Sequence, residues 1–264
     1  MSWEDGEKEK GWTRREWVRL SLTAGAIGSI GGLGGLVTGQ ILPPPVKFSG
    51  EIRESIQYTK FPTPQWWNAR AGTPVRPGDF AEWQGATGVW RGLFQEGRYV
   101  PGTGLACLII RVKREDTFFT FPSESEVPDP LPEGFRLFFD DPDLDAANGG
   151  TRIVIVFDRC VHLCCYPGWH VVFDPPPARD YSAYNAEPPT YKEFGVDPIY
   201  CVCHGSQYDP MLLVVDRNTK NGARYVGAQR VHGPALRALP VIPVRLEGGA
   251  MVGGMPNPAW FVYC

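Results

Sequence analysis

Cys160-Val161-His162-Leu163-Cys164-Cys165 and Cys201-Val202-Cys203-His204-Gly205-Ser206 open and close the stretch whose reading decides the fold. The two loops hold five of the seven cysteines and two of the four histidines of the 264-residue chain. In each loop one Cys and one His lie close enough to reach a common bound group. A further cysteine, Cys165 in the first and Cys203 in the second, is left over for another purpose.

Two thiolates and two imidazoles suit an iron-sulfur core on charge grounds. A [2Fe-2S] core with both irons ferric carries two positive charges, so four thiolates leave the site doubly negative. Two thiolates with two neutral imidazoles leave it neutral. A neutral oxidised site accepts an electron more readily, which is why His-for-Cys replacement on one iron raises the potential to roughly −150 to +300 mV. Cys2His2 is also a zinc ligand set. Its usual spacing, Cys-x2-4-Cys followed by His-x3-5-His, is found in neither loop.

Both loops resemble those of the Rieske iron-sulfur proteins of quinol-oxidising cytochrome bc-type complexes. That family's boxes read Cys-Thr-His-Leu-Gly-Cys and Cys-Pro-Cys-His-Gly-Ser, and the chain matches them at every cysteine and histidine. The resemblance implies that Cys160 and Cys201 bind one iron, and His162 and His204 the other. Ser206 and Tyr208, in Ser-Gln-Tyr-Asp, match the family's hydroxyl donors to a bridging sulfide and a ligand thiolate. Such bonds favour the more negative reduced state and raise the potential further. Gly233-Pro234-Ala235-Leu236-Arg237 resembles the proline loop that covers the cluster. The spare Cys165 and Cys203 could form a disulfide tying the ligand loops together, a bond that persists only in an oxidising compartment.

The fold expected from the resemblance is mainly β, a Rieske-type antiparallel fold with an inserted cluster-binding lobe at about residues 155–237, preceded by one transmembrane helix. The function it implies is that of the iron-sulfur subunit of a quinol:cytochrome c oxidoreductase in a respiratory chain. One cluster histidine, His204 or His162, accepts a hydrogen bond from quinol. One electron passes through the cluster to a c-type cytochrome or a copper protein, and the second to a low-potential haem of a cytochrome b subunit. By analogy the chain works within a dimeric, multi-subunit membrane complex. The alternative is the Rieske electron-transfer subunit of a periplasmic molybdenum enzyme such as arsenite oxidase. Rieske ferredoxins and oxygenase components fit less well, because they lack an anchor and the extra cysteine pair.

Two features depart from the family pattern. Cys164 stands where the family usually has glycine; the expectation is a small free thiol tolerated in the loop, with Cys164–Cys203 left open as a rival pairing. The 35 residues between Cys165 and Cys201 are about twice the spacing associated with the family. Residues 166–200 include Asp174-Pro175-Pro176-Pro177 and Glu187-Pro188-Pro189, which read as irregular extended backbone in a surface loop. Cys107 and Cys264 could form a second disulfide or remain free core thiols.

Outward from this stretch, 31 glycines and 26 prolines argue for many short strands joined by turns rather than a helical bundle. A net charge of −3 gives no basic footprint for nucleic acid. Within residues 1–19, Thr13-Arg14-Arg15-Glu16-Trp17-Val18-Arg19 resembles a twin-arginine export signal. Residues 20–42 carry no charge and as a helix would span about 34 Å, enough to cross a hydrocarbon core of about 30 Å. No cleavage site of the small-x-small kind follows, so a retained anchor is expected. Gly28, Gly32, Gly31, Gly35 and Gly39 repeat the spacing that lets membrane helices pack closely. The flanking arginines place the N-terminus in the cytoplasm and the remainder outside, on the periplasmic side of the inner membrane. Residues 43–50 read as a linker, and 51–264 as the extracytoplasmic domain.

Within that domain, strands are expected at 105–112, 117–121, 135–139, 152–157, 199–202, 211–215, 241–246 and 260–263. The last two should return to the sheet formed by residues 105–139. Trp66, Trp67, Trp83 and Trp90 are expected in the core. Asp140-Asp141-Pro142-Asp143-Leu144-Asp145 fails as a calcium loop, because the glycine and glutamate positions fall on Ala146 and Arg152. It reads as a solvated acidic turn. His170 and His232 read as ordinary histidines.

Overall fold

The computed structural model describes residues 50–114, 119–169 and 199–262, all within one compact unit, 50–264. The proposed anchor, the export motif and most of the linker lie outside the described residues, as do His170, Cys264 and most of the 166–200 insertion. Among the described residues no helix is long and apolar enough to cross a membrane.

The fold is mainly β and antiparallel. Its strands are β1 (Glu51–Ile52), β2 (Gln57–Tyr58), β3 (Gly85–Trp90), β4 (Leu93–Gln95), β5 (Arg98–Tyr99), β6 (Leu105–Val112), β7 (Phe139–Asp141), β8 (Thr151–Phe157), β9 (Gly168–Trp169), β10 (Ile199–Cys201), β11 (Ser206–Arg217), β12 (Arg224–His232), β13 (Leu239–Pro240), β14 (Val244–Glu247) and β15 (Ala250–Gly253). One five-stranded sheet runs β2-β3-β6-β8-β7, and a second runs β13-β12-β11-β10-β9. A small β1-β4-β5 sheet and the β14-β15 hairpin complete the set.

The centre of the first sheet follows from composition. β8 reads Thr-Arg-Ile-Val-Ile-Val-Phe and is buried at every position, and six of the eight β6 residues are buried too. β-Branched side chains fit the pleated surface. Burial on both faces explains the unbroken apolar run in place of alternation. The two strands pair from Cys107 with Phe157 to Val112 with Arg152. Ile242, just after β13 of the second sheet, donates its N–H to the Ile155 carbonyl of β8 (2.8 Å), and Thr120, between β6 and β7, donates to the Met211 carbonyl of β11 (2.9 Å).

Several expectations need correction. Of the expected strand 260–263, the described residues 260–262 are not a strand: Pro258–Phe261 is a short 3-10 helix, started by Pro258 and by Asn257, whose side chain accepts from the Ala259 N–H. The stretch 241–246 reaches the first sheet by isolated bridges and not as a strand: Val241 bridges Val156 of β8, and Val244 bridges Arg136 just before β7. Leu239–Pro240, before it, pairs with β12, and Val244–Glu247 folds onto β15 across the Gly248-Gly249 turn. Of 135–139 only Phe139 is in β7; residues 117 and 118 lie outside the described set. The acidic turn is less solvated than expected. Asp140 pairs with Arg114 (2.6 Å) and Arg152 (2.7 Å), and Asp145 with Arg111 (2.7 Å). Trp67, Trp83 and Trp90 are core residues, as expected.

Candidate metal centre

Each ligand loop hangs from a strand end. β8 feeds the first loop, which is closed by the Cys160 N–H donating to the Cys165 carbonyl (2.7 Å) and the Cys164 N–H to the Cys160 carbonyl (2.9 Å). The second loop is the turn of the β10-β11 hairpin, whose last pair is Cys201 with Ser206. Gly205 takes φ +77° there, and its N–H donates to the Cys201 carbonyl (2.9 Å). Sheet hydrogen bonds therefore fix both loops at their bases, which makes the site rigid.

The two loops repeat one geometry. The Cys160 sulfur is approached by the backbone N–H groups of His162 and Leu163, and the Cys201 sulfur by those of Cys203 and His204. In both cases the donors sit two and three residues after the cysteine. Backbone N–H groups aimed at a sulfur favour its thiolate. The two thiols also meet each other. A hydrogen bond from Cys201 draws the Cys160 thiol down to about 5 despite burial, with help from the Tyr208 hydroxyl. As the donor in that bond, and by burial, Cys201 is pushed up. Tyr208 Oη lies 3.1 Å from Cys160 Sγ. Both sulfur-bearing residues are fully buried, at 1% and 0% exposure.

The histidines face outward. Their rings are 4.7 Å apart and nearly perpendicular, with His204 exposed and His162 half-buried. His162 Nδ1 is buried without a hydrogen-bond partner. A buried imidazole nitrogen left unpaired is costly unless something else takes its lone pair or proton. Two inner sulfurs in donor cradles, two outer imidazoles and an orphaned ring nitrogen form a donor set that fits a mixed thiolate–imidazole metal group.

Cys165 and Cys203 form a disulfide with Cα atoms 6.5 Å apart, so the rival pairing of Cys164 with Cys203 does not occur. The sulfurs of Cys165, Cys201 and Cys203 lie within 4.8 Å of one another. Two of those three are bonded to each other, so that trio is no thiolate ligand set. Cys164 is not the free thiol expected, since it too is disulfide-bonded. Cys107 is a free, buried thiol, so it does not pair with Cys264.

The Gly233-Pro234-Ala235 segment packs directly on the second loop. Ser206 Oγ accepts from the Ala235 N–H (3.0 Å) and is fully buried. Gly233 adopts φ +88°, and a Cβ there would stand 2.5 Å from the Ser206 Cα. Only glycine allows this approach. His232, at the end of β12, pairs with Gln207 in the sheet.

Sequence reasoning missed two features. Arg159 donates to the Cys164 carbonyl (3.2 Å) and stacks on Tyr166 (4.0 Å), bracing the first loop from outside. Leu163, Val202 and Leu236, at 62%, 61% and 80% exposure, form an apolar fringe on the three loops. The only available signal was the presence of large apolar residues at turn positions, where polar residues are usual. Beneath the first loop Asp158 is buried, which pushes its carboxyl up to about 8. No family model matches this chain, and no curated protein matches it.

Proposed function

We propose that Cys160, His162, Cys201 and His204 hold a Rieske-type [2Fe-2S] cluster, and that the chain is the iron-sulfur subunit of a quinol:cytochrome c oxidoreductase. One observation carries the reading: two loops present the same cradled sulfur inside and the same imidazole outside, with the sulfurs in contact and the rings 4.7 Å apart. When bound, such a cluster supplies a one-electron acceptor at roughly −150 to +300 mV, able to pass charge from membrane quinol to a c-type cytochrome or copper protein.

The chain's own residues do the rest. Burial of Cys160 and Cys201 keeps water from the sulfurs. Tyr208 Oη, next to Cys160 Sγ, stabilises negative charge there. Ser206 holds the Ala235 segment over the second loop, so its own hydroxyl proton remains available to a further acceptor. His204, exposed at the tip, offers a ring nitrogen to which a quinol hydroxyl can donate and then lose its proton. Leu163, Val202 and Leu236 surround the histidines with apolar surface, which suits docking to an apolar pocket in a cytochrome b partner. The cytoplasmic N-terminus, single anchor and periplasmic domain belong to the same proposal, supported by residues 13–42 of the sequence, and the dimeric complex is carried over by analogy with the resembled family.

The test is an EPR spectrum of ascorbate-reduced native membranes, taken with and without an inhibitor of the quinol-oxidation site. A mixed-ligand [2Fe-2S] signal that changes shape with inhibitor supports the reading. A signal indifferent to inhibitor favours the subunit of a periplasmic molybdenum enzyme, and no signal points to zinc.

A further inference from the structure

A hollow of about 540 Å³ lies between the segment 119–138 and residues of β7 and β8, and none of its lining residues belongs to the metal centre. That volume suits a small molecule. Its floor is apolar. The rings of Phe119, Phe121 and Phe138 pack on one another with centroids 4.9–5.5 Å apart, and Phe135, Leu131 and Val127 extend the surface. Phe121 is still 47% exposed, so apolar area remains for a ligand to cover.

Arginines line the same hollow. Arg114 Nε and a guanidinium nitrogen of Arg152 hold the two oxygens of Asp140 at 2.6 and 2.7 Å, so two cations share one carboxylate. The Arg152 guanidinium also lies over Phe119 (4.5 Å) and Phe138 (4.9 Å), which joins the cationic side to the floor. Arg136 is different. It is exposed, and its side chain has no hydrogen bond or ion pair among the described residues, while reciprocal backbone bonds with Val244 (3.0 and 2.8 Å) fix its base. With Glu124, the described lining residues carry three positive and two negative charges, on a chain whose net charge is −3.

We infer that this hollow binds an amphipathic carboxylate, with its apolar body on the phenylalanine floor and its head on Arg136. The planar guanidinium fork matches a carboxylate through two parallel N–H···O bonds. One negative charge balances the lining. A phosphate dianion would overbalance it beside Asp140 and Glu124, a neutral ligand would leave the Arg136 fork unused, and a cation would be repelled by it. Aryl and acyl carboxylates share the required chemistry. The inference does not rest on the cluster, since no residue of the hollow touches the ligand loops.

Fluorescence anisotropy of naphthoate with the full-length protein in detergent, read against detergent alone, tests the inference, with octanoate as the competing acyl carboxylate. Saturable binding is expected, and the tighter of the two acids identifies the body as aryl or acyl. Naphthalenemethanol, the neutral counterpart, should compete about tenfold more weakly than naphthoate. Arg136→Gln should raise the Kd for naphthoate about tenfold and abolish the preference for the acid. Phe121→Ala should weaken acid and alcohol alike. Arg98→Gln, which removes the same charge from an exposed position in β5, should change nothing. Absence of saturable binding, equal competition by the alcohol, an unchanged Kd in Arg136→Gln, or an equal loss in Arg98→Gln would overturn the inference. The choice between acid and alcohol by the unmodified protein decides the matter even if a variant does not fold.

Discussion

Side chains around the two sulfurs carry consequences that single substitutions expose. Tyr208→Phe removes a hydroxyl 3.1 Å from Cys160 Sγ. On the proposed function that bond is stronger in the reduced, more negative state. The variant's midpoint potential should therefore fall, by about 40 mV if the difference is about 1 kcal/mol for one electron. Redox titration of the EPR signal checks this, and an unchanged potential would remove Tyr208 from the site's tuning. Elsewhere in the domain, Tyr58 donates to Asp79 Oδ2 (3.0 Å). Burial first, then the Asp79 charge, pushes its hydroxyl well above the usual tyrosine range. A raised folded-state value means the unfolded chain loses this proton first. The stability from Tyr58 is thus fully present below about pH 10 and lost as pH rises further, at about 1.4 kcal/mol per pH unit. Denaturant titrations between pH 9 and 11, roughly spanning that window, should show a steeper alkaline decline for the native protein than for Tyr58→Phe.

Loops and strands set what these side chains can do. The segment at Gly233 lies so close to the second ligand loop that the Gly233→Ala methyl group would stand 2.5 Å from the Ser206 Cα and 2.7 Å from the Gly205 carbonyl oxygen. At φ +88° the substitution is also conformationally disfavoured. The two effects together should destabilise the protein by about 3 kcal/mol. Calorimetry reads the loss as a lower melting temperature, whereas the neighbouring exposed Pro234→Ala should shift it far less. Sheet registers explain why the loops meet. β8 and β10 each end at a cysteine loop, and the Cys165–Cys203 bond closes the gap between loops carried by different sheets.

At the scale of the molecule, exposed large apolar residues concentrate in and beside the ligand loops and the segment packed on them. Leu163, Tyr166, Val202 and Leu236 belong to the three loops and make up half of the eight such residues described. Leu236→Glu, at 80% exposure, should change stability by no more than about 0.5 kcal/mol. On the proposed function it should slow quinol oxidation in the assembled complex while leaving the cluster spectrum intact. Equal turnover would mean that this fringe docks nothing. Much of this architecture was legible in the sequence because local patterns encode it. The apolar runs at 105–110 and 153–157 marked the central strands, and turn-forming glycines together with paired cysteines and histidines marked the loops. Donor types and loop positions are properties of short stretches, so the sequence alone determined which residues could bind a metal. It could not determine what depends on residues far apart in the chain. Packing of the 258–261 helix against β8, the pairing of Leu239–Pro240 with β12, the choice of Cys165 over Cys164 for Cys203, and the crowding that demands glycine at 233 all arise from contacts between separate elements. Only the tertiary structure decided these, because sulfur pairing and close backbone approach are set by distance in space and not by distance along the chain.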